Sequence, residues 1–198
     1  NNHGQLGDGT NTHSNVPVEA GLSEFPVQLS SGDWHSCAIL DDASLKCWGR
    51  NNHGQLGDGT NIDSSSPVSV DLPGEKFLAV SAGSNHTCAI TKTWALKCWG
   101  SNANGQLGVG STVSSNSPST VTVGGSAAAV SAGGSHTCVI MDGAVGSGGL
   151  KCWGLNANGQ IGDGTTTDRH IPVYSSMGGT GALRVSTGSF HTCAITVD

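Results

Sequence analysis

Apolar residues along this chain come in bursts of four to six, such as FLAVSAG, HTCAI and LKCWG, and between them lie stretches of Gly, Ser, Asn, Asp and Pro. The period of an amphipathic helix is absent, so the bursts predict short strands divided by turns. Both faces of HTCAI and LKCWG are largely apolar, as expected where a small sheet is covered on each side. The pattern also repeats. NNHGQLGDGT at 1–10 recurs unchanged at 51–60, then as NANGQLGVGS from Asn102 and NANGQIGDGT from Asn156, at steps of 50, 51 and 54 residues. A second signature keeps the same beat: HSCAI at His35, HTCAI at His86, HTCVI at His136 and HTCAI at His191. LKCWG follows the first three, ending at Gly49, Gly100 and Gly154. A period of about 50 residues in short strands predicts the blades of a propeller. One blade reads as four strands near 67–70, 78–82, 86–90 and 96–99, with the GQLGDGT loop leading on to the next blade. The repeat boundaries so predicted are 1–16 for the tail of a preceding blade, then 17–66, 67–117, 118–171, and 172–198 for the start of a truncated blade.

The phrases HTCAI, LKCWGxNxxGQLGDGT and VSAG at this beat resemble the repeats of the regulator of chromosome condensation family, whose members fold as seven-bladed β-propellers. The resemblance covers the whole chain. It implies an all-β fold of four-stranded antiparallel blades, an incomplete propeller of about four repeats. Asn1 follows the place of an expected CWG strand and Asp198 stops before one, so a fragment is expected, with a closed four-bladed ring as the alternative.

Composition narrows the function. Apolar residues make 35% and charged residues 11% of the 198 positions, with 31 glycines, which suits a turn-rich folded protein rather than a disordered one. No stretch approaches the roughly 18–20 apolar residues of a membrane span. The net charge is −6 and the eight Lys and Arg are scattered, so a phosphate-binding face is not expected and nucleic acid is disfavoured as a partner. With Asn1 first and methionine only at Met141 and Met177, the natural start is expected upstream.

Seven cysteines fall as Cys37/Cys47, Cys88/Cys98, Cys138/Cys152 and a solitary Cys193. Each pair sits on the two arms of one predicted hairpin, and the insert at 144–149 adds four residues in the third turn without changing its facing. Three readings compete: disulfides, which imply an oxidising compartment; buried thiols acting as small apolar fillers; and metal ligands, for which no CxxC spacing or fourth ligand is found. The disulfide reading is the leading one. His35, His86, His136 and His191 recur without a partnered nucleophile, which favours a structural, hydrogen-bonded role over catalysis. His3 and His53 read as solvent-facing turn residues. Asp8, Asp58 and Asp163 suggest calcium or turn-capping, and Val109 at the equivalent place favours capping. Trp48, Trp99 and Trp153 read as packing between blades. The triplet Asn85-His86-Thr87 is a glycan acceptor or a chance match.

Repeated letters build a scaffold, whereas letters that change between repeats are free to specify a partner. The position before the histidine holds Trp34, Asn85, Ser135 and Phe190, and the position after CWG holds Arg50, Ser101 and Leu155. Both series flank strand ends, and aromatics and Arg are the types enriched in binding hot spots; ordinary variable surface is the competing reading. The resemblance implies that one loop face carries protein contacts. The expected function is a non-catalytic scaffold that binds a protein partner, without cofactor or metal, outside the cell or on its surface, the periplasm being the other compartment that fits. A guanine-nucleotide exchange regulator of a small GTPase is the alternative, and a propeller lyase or hydrolase a weaker one.

Overall fold

The computed structural model describes residues 1–142, 149–177 and 181–197. Among these there are fourteen strands and no helix, hence no helix long and apolar enough to cross a membrane. The first blade is the antiparallel sheet β1(Pro26–Ser31), β2(His35–Leu40), β3(Leu45–Gly49), β4(Ser64–Ser69) in that order. The second is β5(Phe77–Ala82), β6(His86–Thr91), β7(Leu96–Gly100), β8(Ser115–Val121), and the third β9(Ala127–Ala132), β10(His136–Met141), β11(Leu150–Gly154), β12(Arg169–Tyr174). A hairpin of β13(Ala182–Thr187) and β14(Thr192–Thr196) follows. β1, β5, β9 and β13 approach one another in turn and line the inside of an arc, which does not close within the described residues.

Two sequence-based expectations are corrected. The strand expected at 67–70 to open the second blade is instead β4, the outer strand of the first, paired to β3 through Lys46 with Ser69 and Cys47 with Val68. The GQLGDGT loop at 54–60 therefore joins strands three and four of one sheet, and the passage to the next blade runs through 70–76. The outer strands SSSPVS and SNSPSTV are polar edge strands, where proline is tolerated and little apolar surface is buried. The sequence pattern marks such a strand without saying which sheet it joins. The insert at 144–149 lies, apart from Gly149, outside the described residues.

Hydrophobic cores form between blades rather than within them. Cys37, Ile39, Leu45 and Cys47 of the first sheet pack with Leu56 of its loop against Phe77, Val80, Ala89 and Trp99 of the second. The same arrangement at the next junction puts Cys88, Ile90, Leu96 and Cys98 with Leu107 against Val139 and Trp153. In HTCAI the alternating residues thus serve two different junctions, which is why both faces are apolar. Trp99 and Trp153 are fully buried. Truncating either to alanine costs about 3–5 kcal/mol.

Candidate functional site

The loops at one end of the blades carry both the interblade fastening and the variable positions. Trp99 Nε1 and Thr87 Oγ1 both donate to the carbonyl of Gln55, at 2.9 and 2.8 Å, so the loop of one blade is bonded to the strands of the next. Trp153 and Thr137 do the same to Gln106 at 2.9 and 2.8 Å, and Trp48 and Ser36 to Gln5. Glycine is required in this loop because the indole lies on it. A Cβ at Gly57 would stand 2.5 Å from Trp99 Nε1, and its φ of +72° is a conformation that glycine adopts without strain.

His35, His86 and His136 are fully or almost fully shielded. Each Nε2 meets the threonine of the next blade: His35 to Thr87 at 2.7 Å, His86 to Thr137 at 2.9 Å and His136 to Thr192 at 2.9 Å. The threonine hydroxyl spends its proton on a glutamine carbonyl, so the imidazole is the donor and the Nε2–H tautomer is fixed. The Nδ1 atoms of all three are buried without a partner among the described residues. Burial lowers the pKa of His35 and His136 from 6.5 to about 4 and of His86 to about 3, where His35 and His136 add a smaller like-charge effect. These histidines are neutral structural donors.

Cys37–Cys47, Cys88–Cys98 and Cys138–Cys152 are directly opposed across their hairpins and bonded, with Cα separations of 4.0, 4.1 and 4.1 Å, and Cys193 is free and exposed. Asp8, Asp58 and Asp163 cap turns, accepting from the backbone N–H of Thr10, Thr60 and Thr165 at 2.9, 3.0 and 3.0 Å. Where Val109 replaces aspartate, Asn102 Nδ2 still donates to the carbonyls of Ser111 and Val113. Arg169 Nε donates to Asp163 Oδ2 at 2.7 Å, and the pKa of Asp163 is lowered to about 2 by its bonds from Thr165 and Arg169, which outweigh its desolvation. No group of three or more His, Cys, Asp or Glu that would hold a metal occurs among the described residues. In the triplet Asn85-His86-Thr87 the threonine is fully buried and Asn85 Oδ1 is enclosed without a partner among the described residues, which is not the presentation of a surface acceptor.

The two variable series meet. The backbone N–H of Arg50 donates to Trp34 O at 2.9 Å, that of Ser101 to Asn85 O at 2.8 Å and that of Leu155 to Ser135 O at 2.8 Å. In the first blade this pairing becomes a cluster. Arg50 lies over the Trp34 ring with its guanidinium carbon 5.5 Å from the centroid, and His3 meets the same ring edge-on at 5.8 Å. Asp63 Oδ2 holds His3 Nδ1 at 2.7 Å, while its other oxygen accepts the backbone N–H of Asn51 at 2.7 Å. His3 and His53 are half-buried rather than solvent-facing, and neither His3 nor Asp63 is expected at this surface from the sequence pattern. A comparison of the third letter across the loops, His3, His53, Asn104 and Asn158, exposes the variation that marks them. Trp34 is 39% and Phe190 61% exposed, whereas Asn85, Ser101, Ser135 and Leu155 are half-buried. Ser101 Oγ is engaged by Gln106 Nε2 at 3.3 Å.

A curved run of four-stranded antiparallel blades, each fastened to the next by a tryptophan, a threonine and a loop carbonyl, defines a propeller of the repeat class. The chain matches the regulator of chromosome condensation (RCC1) repeat at residues 1–39, 45–90, 98–140 and 147–195, and it belongs to that family. The human E3 ubiquitin-protein ligase HERC2 is 32% identical over 202 aligned residues, covering 98% of this chain and 4% of that protein. The ultraviolet-B receptor UVR8 of Arabidopsis thaliana is 33% identical over 122 residues, 60% of this chain and 28% of the receptor. The chain thus spans a minor part of these curated relatives. Among solved structures, Prp20p of Saccharomyces cerevisiae, described with its binding properties to Gsp1p and histones, superposes with a TM-score of 0.86 at 19% identity over 98% of this chain and 50% of its own. The ectodomain of the Arabidopsis thaliana receptor kinase ACR4 superposes at 0.57 with 20% identity, over 93% and 51% of the two chains. At these identities the structures are alike in fold.

Proposed function

We propose that this chain is a non-catalytic protein-binding part of a propeller that engages its partner through the loop face bearing Trp34, Arg50 and Phe190. The observation that carries the reading is the setting of Trp34: exposed by 39%, yet held by Arg50 on its face and His3 on its edge. An aromatic already fixed by its neighbours offers contact area at small ordering cost. Arg50 makes no ion pair among the described residues, which leaves its guanidinium donors to a partner. Phe190 presents a second aromatic at the same repeat position. Asn85, Ser135, Ser101 and Leu155 lie between and beside them as the remainder of the surface. Prp20p, with its binding to Gsp1p and histones, is a precedent for protein binding on this fold. It is also the ground for the alternative, regulation of a small GTPase.

The compartment we propose is oxidising, outside the cell or on its surface. Three bonded and buried cysteine pairs support it. The test is capture from the native extracellular milieu by wild type and by a Trp34→Ala, Phe190→Ala double variant, with unchanged circular dichroism and melting as the folding control. Loss of the captured partner in the variant supports the face. Equal capture removes it.

A further inference from the structure

The opposite end of the blades carries a feature repeated four times. Each inner strand begins with a β-bulge, where Val27, Leu78, Ala128 and Leu183 are the extra residues. A bulged residue is released from the ladder and its side chain is re-aimed. Here three of the four are large and apolar, and they stand exposed: Val27 by 62%, Leu78 by 42% and Leu183 by 44%. Trp94 joins them from the turn between β6 and β7, 46% exposed at a φ of +62°. The equivalent Ala43 has φ +63°, so the turn itself demands the left-handed conformation, and a bulky tryptophan is an outlier there.

Between the first and second blades this end opens into a groove of about 450 Å³. Its apolar walls are Val27, Ile39, Leu40, Phe77 and Leu78, with Gln28, Asp41 and Lys92 among them. Three polar groups in it are unengaged. Among the described residues Gln28 Oε1 is buried with no partner, and neither Asp41 nor Lys92 forms an ion pair. A buried acceptor without a donor costs free energy until one arrives.

We propose that this groove docks a peptide segment of a second protein: one apolar side chain enters between Val27 and Leu78, an amide N–H donates to Gln28 Oε1, and flanking basic and acidic residues pair with Asp41 and Lys92. The charges of opposite sign at the rim select a segment carrying both. A peptide suits the site better than a compact small molecule, because exposed apolar residues continue past the groove at Trp94. The face lies at the far end of the strands from Trp34, so the two surfaces are separable.

The test uses fluorescence anisotropy with short labelled peptides in which Leu or Phe is flanked by Lys on one side and Glu on the other, beside versions with both charges removed. Val27→Glu and Leu78→Glu change exposed positions and are checked for folding by circular dichroism and melting. The expected result is binding of the charged peptides that weakens at least about tenfold in either variant and with the charge-free peptides, and that is unchanged in Trp34→Ala. No binding of any peptide, equal binding by Val27→Glu and Leu78→Glu, or loss in Trp34→Ala alone would overturn the proposal. Binding of phosphatidylserine-containing vesicles by wild type, abolished by the same two variants in place of peptide binding, would replace it with a lipid surface.

Discussion

His35 Nε2 and Thr87 Oγ1 lie 2.7 Å apart across the junction of the first and second blades, and the threonine passes the bond on to Gln55 O at 2.8 Å. The histidine of one blade, the strand of the next and the loop that spans them are thereby one hydrogen-bonded unit. Thr87→Val keeps the shape of the side chain but strands the imidazole N–H in a dry junction. A loss of about 1–3 kcal/mol in urea unfolding is expected, as for any buried donor left unpaired. Ser36, at the matching place in the first blade, bonds only Gln5 O and receives no histidine among the described residues, so Ser36→Ala is expected to cost below about 1 kcal/mol. A Thr87→Val variant no less stable than Ser36→Ala would count against the relay.

The same histidines make stability depend on pH. Their folded pKa values are depressed, to about 4 for His35 and His136 and about 3 for His86, while the unfolded chain titrates near 6.5. Between those values the unfolded state holds protons that the folded state refuses, so stability rises with pH. It is fully present above about pH 6.5 and falls as the solution is acidified toward pH 4. Each buried histidine contributes a slope approaching 1.4 kcal/mol per pH unit in the middle of that window. Unfolding midpoints measured from pH 7.5 to 4.5 should therefore decline, with a shallower decline in His86→Gln. A flat profile would show that the imidazoles charge freely in the folded protein.

Much of the fold is legible in the sequence because its strongest signals are local. HTCAI and LKCWG declare buried strands, their cysteines declare the register, and the beat declares the blade. The outer strand is half legible: a strand is expected at 67–70 and stands at Ser64–Ser69, but its polar sequence with Pro67 carries no sign of which sheet it joins. With that strand assigned to the next sheet, the pattern places the loop 54–60 in the wrong connection, although its glycines foretell a close approach, seen as the Trp99 ring on Gly57. The partnership of Trp34 with Arg50 is half visible, since both positions vary. Their contact depends on the pairing of His35 with Gly49, and His3 enters only because the loop of residues 1–10 covers the first blade, bonding Trp48 and Ser36. The apolar bulges at the other end leave no periodic trace at all, because an extra residue breaks the alternation by which strands are recognised.

Glycine in the VSAG signature answers to the histidine three residues on. A Cβ on Gly83 would stand 2.6 Å from His86 Cε1 and 2.5 Å from the carbonyl oxygen of Gly133 in the third blade. Neither neighbour is free to move, one being bonded to Thr137 and the other being backbone. Gly83→Ala is expected to cost about 1–3 kcal/mol by overpacking. Gly74, at φ +80° with nothing within 4 Å of where a Cβ would stand, separates space from conformation. Gly74→Asn, a residue that tolerates the left-handed region, should change stability by less than about 1 kcal/mol. Equal losses for the two in thermal unfolding would mean that the close approach of His86 is not what excludes a side chain at Gly83.

The cysteine pairs give the sharpest test, because it separates the fold from its compartment. The opposed Cα atoms at 4.0–4.1 Å follow from the hairpin register alone, and the sulfurs of the three pairs are enclosed in the junction cores, while Cys193 is exposed. Protein secreted from an expressing cell and unfolded in guanidinium should therefore show one titratable thiol, rising to seven after reduction. Each bond closes a loop of 10 or 14 residues, worth about 3 kcal/mol in the chain-entropy account. The Cys88→Ala, Cys98→Ala double variant should lower the unfolding midpoint accordingly, and more than the reduction of loop entropy alone where the smaller side chains loosen the junction against Trp153. Seven thiols without reductant would refute the oxidised state and remove the support for an extracellular setting. The blade register would survive that outcome, since it rests on the opposition of Cys37 to Cys47 and of His35 to Gly49 rather than on the bond between the sulfurs.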